Sequence, residues 1–105
     1  DASNRLITAE AAKVTGELKC NQCNIVNAEG LQYFTSISFI TLQRNNIDTI
    51  PNLSTLKNLR SIDVTYNNLR YLPGIDKVLT LENIFAWKNF IRKLPDLSQL
   101  ANLVN

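Results

Sequence analysis

The sequence predicts an α/β solenoid, in which short parallel strands stack on one side of the molecule and turns stack on the other. Three observations support this fold class: prolines at one spacing, asparagines at the same spacing, and apolar residues that keep the same frame. Each unit of such a fold buries its apolar residues only against its neighbours, so several units are needed for stability.

The repeat is 22 residues long, because all three prolines and a set of asparagines recur at that step. The positions are Pro51, Pro73 and Pro95, and Asn45, Asn67 and Asn89. The apolar positions move in the same frame, for example from Ile40 and Leu42 to Ile62 and Val64. We do not expect so many coincidences by chance, and they predict about four units over residues 17–105.

Each unit follows the pattern L-x-x-L-x-L-x-x-N-x-L-x-x-L-P-x-L-x-x-L-x-x, which resembles the leucine-rich repeat family, in particular its 22-residue internalin-like class of bacterial proteins. The resemblance implies a right-handed leucine-rich repeat horseshoe with short parallel strands on the concave face and 3₁₀ or irregular turns on the convex face. It also implies a secreted or cell-surface bacterial protein, while a cytoplasmic location stays open.

The repeated asparagine stands where each strand is expected to end. We expect its side chain to turn inward and to bond to backbone groups that the strands leave unpaired. The resulting structural ladder consists of Cys23, Asn45, Asn67 and Asn89, with Cys23 in the asparagine position of the first unit.

Residues 1–16 do not fit the repeat, and we expect them to form an N-terminal helical cap. Thr8 is suited to begin a helix over residues 9–15, and Gly16 is suited to end it. The stretch from Asp1 to Glu10 is weakly similar to a calcium-binding loop, but it offers too few oxygen ligands, so we expect no metal.

Cys20 and Cys23 have the spacing of half a zinc site or of a redox pair, but the chain has no further cysteine and no histidine. In an extended strand, Cα atoms three residues apart are separated by about 10 Å, which exceeds the roughly 7 Å limit for a disulfide. The expectation is therefore two buried free thiols that do not report on the cellular compartment.

Charge and composition disfavour several classes of function. Eleven Lys and Arg against nine Asp and Glu are scattered along the chain, so no basic patch for nucleic acid is expected. The longest apolar stretches have four residues, whereas a membrane span needs about 18. No nucleophile or carboxylate lies in a constellation with a base, so we expect neither an enzyme nor a cofactor.

Outward-facing strand residues, which repeat in rows, carry the predicted site. The residues predicted to bind a ligand are Phe39, Thr41, Gln43, Arg44, Asp63, Thr65, Tyr66, Phe85, Trp87 and Lys88. Aromatic anchors with a polar rim are typical of protein-binding surfaces, so the function predicted is a protein-binding module. A structural spacer without its own ligand and a glycan-binding surface stay open as alternatives.

The last residues, Leu103 to Asn105, begin a further unit without a polar cap. We expect either a continuation of the solenoid or another chain over this edge, which includes a homodimer through the C-terminal edge.

Overall fold

A computed structural model describes residues 13–104 and shows one parallel sheet whose four strands are adjacent in chain order. The strands are β1 (Gly16–Lys19), β2 (Ile37–Thr41), β3 (Ser61–Asp63) and β4 (Asn83–Phe85). Each connection between neighbouring strands returns across the opposite side of the molecule, as parallel pairing requires.

The register of the sheet follows the repeat. Phe39 pairs with Ser61, and Ser61 pairs with Asn83, so residues 22 apart lie side by side. The pairing of β1 with β2 shifts between Gly16 and Glu17 and then keeps the same step. Equivalent positions of successive units therefore form rows across the sheet.

Within residues 13–104, three single-turn 3₁₀ helices lie opposite the sheet, at Leu31–Tyr33, Leu53–Thr55 and Ile75–Lys77. The first residue of each is buried. The second helix is capped by Asn52, whose side chain accepts a hydrogen bond from the backbone N–H of Ser54 at 2.9 Å. These turns are short because a unit leaves few residues for the return to the next strand.

Gly74 precedes the third 3₁₀ helix and has a φ of 77°, a left-handed conformation that glycine adopts without cost. A Cβ atom at this position would overlap with the carboxamide of Asn52 in the preceding unit. Gly74 is therefore required both by the turn and by the close approach of two units.

The core lies between the sheet and the 3₁₀ helices and is built from the repeated aliphatic positions. Its fully buried members come from both sides, with Ile40 and Ile62 on the strands and Leu53 and Ile75 on the helices. Side chains at equivalent positions pack across units, so most contacts that stabilise the core join residues distant in sequence.

The predicted fold class, a leucine-rich repeat solenoid of horseshoe shape with a capping helix, is wrong. The described residues form a small compact globule with a radius of gyration of 13.2 Å and extents of 38 × 29 × 20 Å. A compact domain of about 100 residues has a radius of gyration of about 13 Å. Horseshoe curvature is the sum of small rotations over many units, and four short strands are too few to accumulate it.

Most of the predicted N-terminal helical cap lies outside the described residues. Of its last residues, Lys13 is helical, Val14 and Thr15 are not, and Gly16 already begins β1. The part of the helix predicted to reach Thr15 is therefore wrong. Helix propensity is a weak local preference, and the chain enters the sheet directly afterwards, at Gly16 of β1.

The prediction of two free buried thiols is also wrong, because Cys20 and Cys23 form a disulfide. The chain turns at Asn21 and Gln22, and the φ of Gln22 is 55°. The two cysteine Cα atoms consequently lie 5.7 Å apart, within disulfide range, because the strand ends at Lys19. Cys20 is half-buried and Cys23 is exposed.

Candidate binding surface

The predicted ligand-binding residues lie on or directly after the last three strands, on the side of the sheet away from the core. We call this surface the sheet face; it comprises Phe39, Thr41, Gln43, Arg44, Asp63, Thr65, Tyr66, Phe85, Trp87 and Lys88. The strand register aligns Thr41, Asp63 and Phe85 in one row. The structure thus brings these residues together, although they are spread over 50 positions of the chain.

One half of the sheet face is a polar network. The amide nitrogen of Gln43 donates to Oδ2 of Asp63 at 2.5 Å, and Oδ1 of Asp63 accepts from the backbone N–H of Thr65 at 3.1 Å. Thr41 donates to the carboxylate of Glu17 at 3.0 Å. The side chains of this half are therefore held in defined positions before any ligand arrives.

The other half of the sheet-face residues is mainly aromatic, with Phe39 on β2 beside Ser61 and Tyr66 and Trp87 after the ends of β3 and β4. Trp87 is 74% exposed, and Phe39 and Tyr66 are 42% and 43% exposed, while Phe85 is half-buried. The guanidinium carbon of Arg44 lies 4.2 Å from the centre of the Tyr66 ring, which is a cation–π contact. This half offers a large apolar area to solvent.

Backbone conformation positions the side chains at the end of each strand. In each unit, the residue that follows Asn21, Gln43, Thr65 or Trp87 has a φ value between 55° and 62°. These residues are Gln22, Arg44, Tyr66 and Lys88. A left-handed conformation costs a residue with a side chain about 1 kcal/mol or more, and here the neighbouring backbone offsets that cost by fixing the turn. The row therefore has the same orientation in each unit.

The predicted asparagines lie behind this row and bond to the backbone. The carboxamide of Asn67 donates to the carbonyls of Leu42 at 2.9 Å and Val64 at 2.8 Å, and accepts from the N–H of Ile47 at 3.1 Å. Asn45 and Asn89 make the corresponding bonds, each to a carbonyl of its own unit and to backbone groups of the preceding unit. Together they join each turn to the turn before it.

The side chain of Cys23 does not take part in this ladder. Its Sγ is bonded to Cys20, and only its backbone N–H reaches the ladder, where it donates to Oδ1 of Asn45 at 2.9 Å. The ladder role assigned to the Cys23 side chain is wrong, because the turn directs the sulfur toward Cys20.

Two residues outside the predicted ligand-binding set also contribute to this surface. Glu17 and Asn21 lie one unit before Phe39 and Gln43, and their side chains accept hydrogen bonds from Thr41 and Gln43. The 22-residue frame placed Asn21 beside Gln43 and Glu17 beside Phe39, whereas Glu17 bonds to Thr41, two residues farther along β2. Their hydrogen bonds could not be foreseen because the first unit departs from the repeat pattern.

One opening adjoins the sheet face at Trp87, and a second opening shares Arg92 with the first. The C-terminal cavity, of about 470 Å³, is lined mainly by apolar side chains that include Ile84, Trp87 and Leu97, together with Arg92 and Lys93. The arginine cleft, of about 420 Å³, is lined by Arg70, Phe90 and Arg92. Neither Arg70 nor Arg92 was among the predicted site residues.

Within residues 13–104, no group of three or more His, Cys, Asp or Glu side chains is placed to hold a metal ion. The same part of the chain contains no helix long and apolar enough to cross a membrane.

The fold and the sheet face define a compact parallel-sheet domain that presents fixed polar groups and exposed aromatic rings side by side. In comparisons with known proteins, no family model and no curated protein matches this chain.

Proposed function

We propose that this chain is a protein-binding domain that contacts its partner through the sheet face. The observation that carries the proposal is the exposure of Trp87, Tyr66 and Phe39 on one side of the sheet. Burying a large apolar side chain contributes about 1.5–3 kcal/mol, so these rings favour association with a complementary surface.

The two halves of the sheet face have different roles in such a contact. The aromatic half supplies apolar area, and the polar half supplies hydrogen-bonding groups that Gln43, Asp63 and Thr65 already hold in place. A fixed surface loses little conformational entropy when it binds, which favours a protein partner of complementary shape.

We also propose that the domain acts in an oxidising compartment, either secreted or at the cell surface. The Cys20–Cys23 disulfide supports this, since disulfides persist outside the cytosol and are reduced within it.

A glycan ligand is the alternative that the same surface suits, because aromatic platforms beside Asp63 and Gln43 can stack on sugar rings and bond to hydroxyl groups. A spacer without a ligand would need neither the exposed rings nor the fixed polar groups. A glycan array and a library of displayed protein fragments, applied to the same immobilised domain, separate these alternatives.

The decisive experiment measures the affinity of fragments selected on the folded domain. Trp87→Ala should weaken binding by more than about tenfold, as truncation of an interface anchor does. Tyr71→Ala is the matched control, because Tyr71 is also an exposed aromatic residue but lies outside the sheet face. Selected fragments that bind both variants equally well would contradict the proposal, and so would enrichment on the glycan array alone.

A homodimer through the C-terminal edge stays a prediction. The C-terminal cavity is open beside β4, and Leu94, which lines it, is exposed. Sedimentation equilibrium at micromolar concentration tests this, and a monomer at all concentrations would contradict it.

A further inference from the structure

Arg70 and Arg92 occupy the same position in successive units, and the structure places them on adjacent turns. The backbone N–H of Phe90 donates to the carbonyl of Leu69 at 2.8 Å, so the two segments are in direct contact at this point. Both arginines are exposed. Two positive charges are thus held next to one another.

Among the described residues, neither guanidinium has an ion-pair or hydrogen-bond partner. The acidic groups nearby in the sequence are engaged elsewhere. Glu82 pairs with Arg60 at 2.7 Å, and Asp96 accepts a hydrogen bond from the backbone N–H of Ser98 at 2.9 Å. That bond, with a second from the Ser98 hydroxyl, holds the pKa of the Asp96 carboxyl below its ordinary value.

The preceding unit has Asp48 at the equivalent position, on the other side of Arg70. No ion pair within 4.0 Å joins the two side chains among the described residues. The arginine cleft therefore contains two planar, permanently charged groups and no carboxylate, which makes it complementary to an oxyanion.

Apolar groups adjoin this charge. Phe90 lies in the cleft and is 61% exposed. Arg92 lines both the arginine cleft and the C-terminal cavity, where Trp87, Ile84 and Leu97 also lie. The two openings share Arg92, so they form one surface with a charged part and an apolar part.

We infer that the arginine cleft binds a carboxylate of an acidic peptide segment in the protein partner, and that apolar side chains of the same segment enter the C-terminal cavity. This inference rests on the proposed function and specifies the chemistry of the partner. A peptide combines carboxylates with apolar side chains, whereas a sulfated glycan has no apolar side chains to fill a cavity lined by leucine and isoleucine. Charge complementarity and the apolar lining together favour the peptide.

The probe is a synthetic peptide that alternates leucine and glutamate, and its control is the same peptide with glutamine in place of glutamate. Trp87 is the only tryptophan and lines the C-terminal cavity, so its fluorescence reports binding directly. We expect saturable binding of the glutamate peptide, about tenfold weaker binding of the glutamine peptide, and weaker binding at high salt. Equal binding of both peptides would overturn the inference, and so would tighter binding of heparin than of the glutamate peptide.

Substitution of the two arginines tests whether the glutamate peptide binds in the arginine cleft. Arg92→Gln and Arg70→Gln should each weaken binding of the glutamate peptide by about tenfold and leave the affinity for the glutamine peptide unchanged. Lys57→Gln removes one positive charge from an exposed position outside both openings and is the control for net charge. An equal loss in Lys57→Gln would show a nonspecific charge effect and overturn the inference. Unfolding curves of the three variants establish that each is folded.

The two proposals can fail separately. One outcome is that the glutamate peptide does not bind, while the affinity of selected fragments still depends on Trp87. The proposal of an acidic partner segment is then wrong, and the proposal of a protein-binding sheet face stands. If selected fragments ignore Trp87 while the glutamate peptide still depends on Arg92, the role of the sheet face is wrong and the anion site stands.

Discussion

The carboxamide nitrogen of Asn67 lies 2.9 Å from the carbonyl oxygen of Leu42, which is 25 residues earlier in the chain. The same carboxamide also bonds to Val64 and Ile47. One side chain therefore satisfies three backbone groups that the strands leave unpaired, which explains why a polar residue is only 4% exposed. The bonds to Leu42 and Ile47 connect two units.

Replacement of this side chain tests its contribution to stability. Asn67→Leu should lower the free energy of unfolding by about 2 kcal/mol or more, because buried backbone groups lose their partners although the new side chain is apolar. Urea unfolding measures the loss. Asn68→Leu is the matched control, since Asn68 is exposed, and we expect a change within about 0.5 kcal/mol. An unchanged unfolding midpoint for Asn67→Leu would contradict the structural role of the ladder.

The disulfide closes a very short loop between Cys20 and Cys23. The chain-entropy model gives a stabilisation of about 2 kcal/mol for such a loop, so reduction should shift the urea midpoint by a corresponding amount. Thiol titration of the native protein should detect no free thiol before reduction. The Cys20→Ser, Cys23→Ser double variant is the control, because a reductant should leave its stability unchanged. Two titratable thiols in the untreated protein would disprove the disulfide.

A comparison of Gly74 with Gly30 separates two reasons why a position requires glycine, which are backbone conformation and close packing. Both have positive φ, but a Cβ at Gly74 would overlap with Asn52, whereas at Gly30 it would meet nothing within 4 Å. Gly30→Ala should therefore cost about 1 kcal/mol from backbone strain alone, and Gly74→Ala should cost more than that. Thermal or urea unfolding compares the two. Equal losses would show that the approach of Asn52 contributes nothing.

The contact between Arg44 and Tyr66 is accessible to a double-mutant cycle. Arg44→Gln and Tyr66→Leu, alone and together, should give a coupling energy of about 0.5–1 kcal/mol, as expected for an exposed cation–π pair. The measurement is the free energy of unfolding of the four proteins. A coupling energy of zero would mean that the stacked geometry does not stabilise the folded state.

The periodic sequence was sufficient to predict which residues are neighbours. Thr41, Asp63 and Phe85 lie in one row because they share a position in the repeat, and parallel pairing converts equal spacing into lateral contact. The inward position of Asn67 was also predicted, but alternation continued from Ile62 and Val64 would point it outward, and the left-handed conformation of Tyr66 turns it to the core.

Three features depended on tertiary structure. The left-handed turn at Gln22 brings Cys20 and Cys23 together, and a residue other than glycine adopts that conformation only where surrounding contacts hold it. The compact shape of the described part of the chain reflects how its four strands and three short helices close around one core.

The third feature is the arginine cleft, in which Arg70 and Arg92 lie together and have no ion-pair partner among the described residues. The sequence by itself determined the register of the units and the residues that face the core, because the direction of a side chain is a local property that repeats with the chain. Overall shape, the disulfide and the unpaired charges were decided by the tertiary structure alone, because each depends on distances between segments that no periodic pattern specifies.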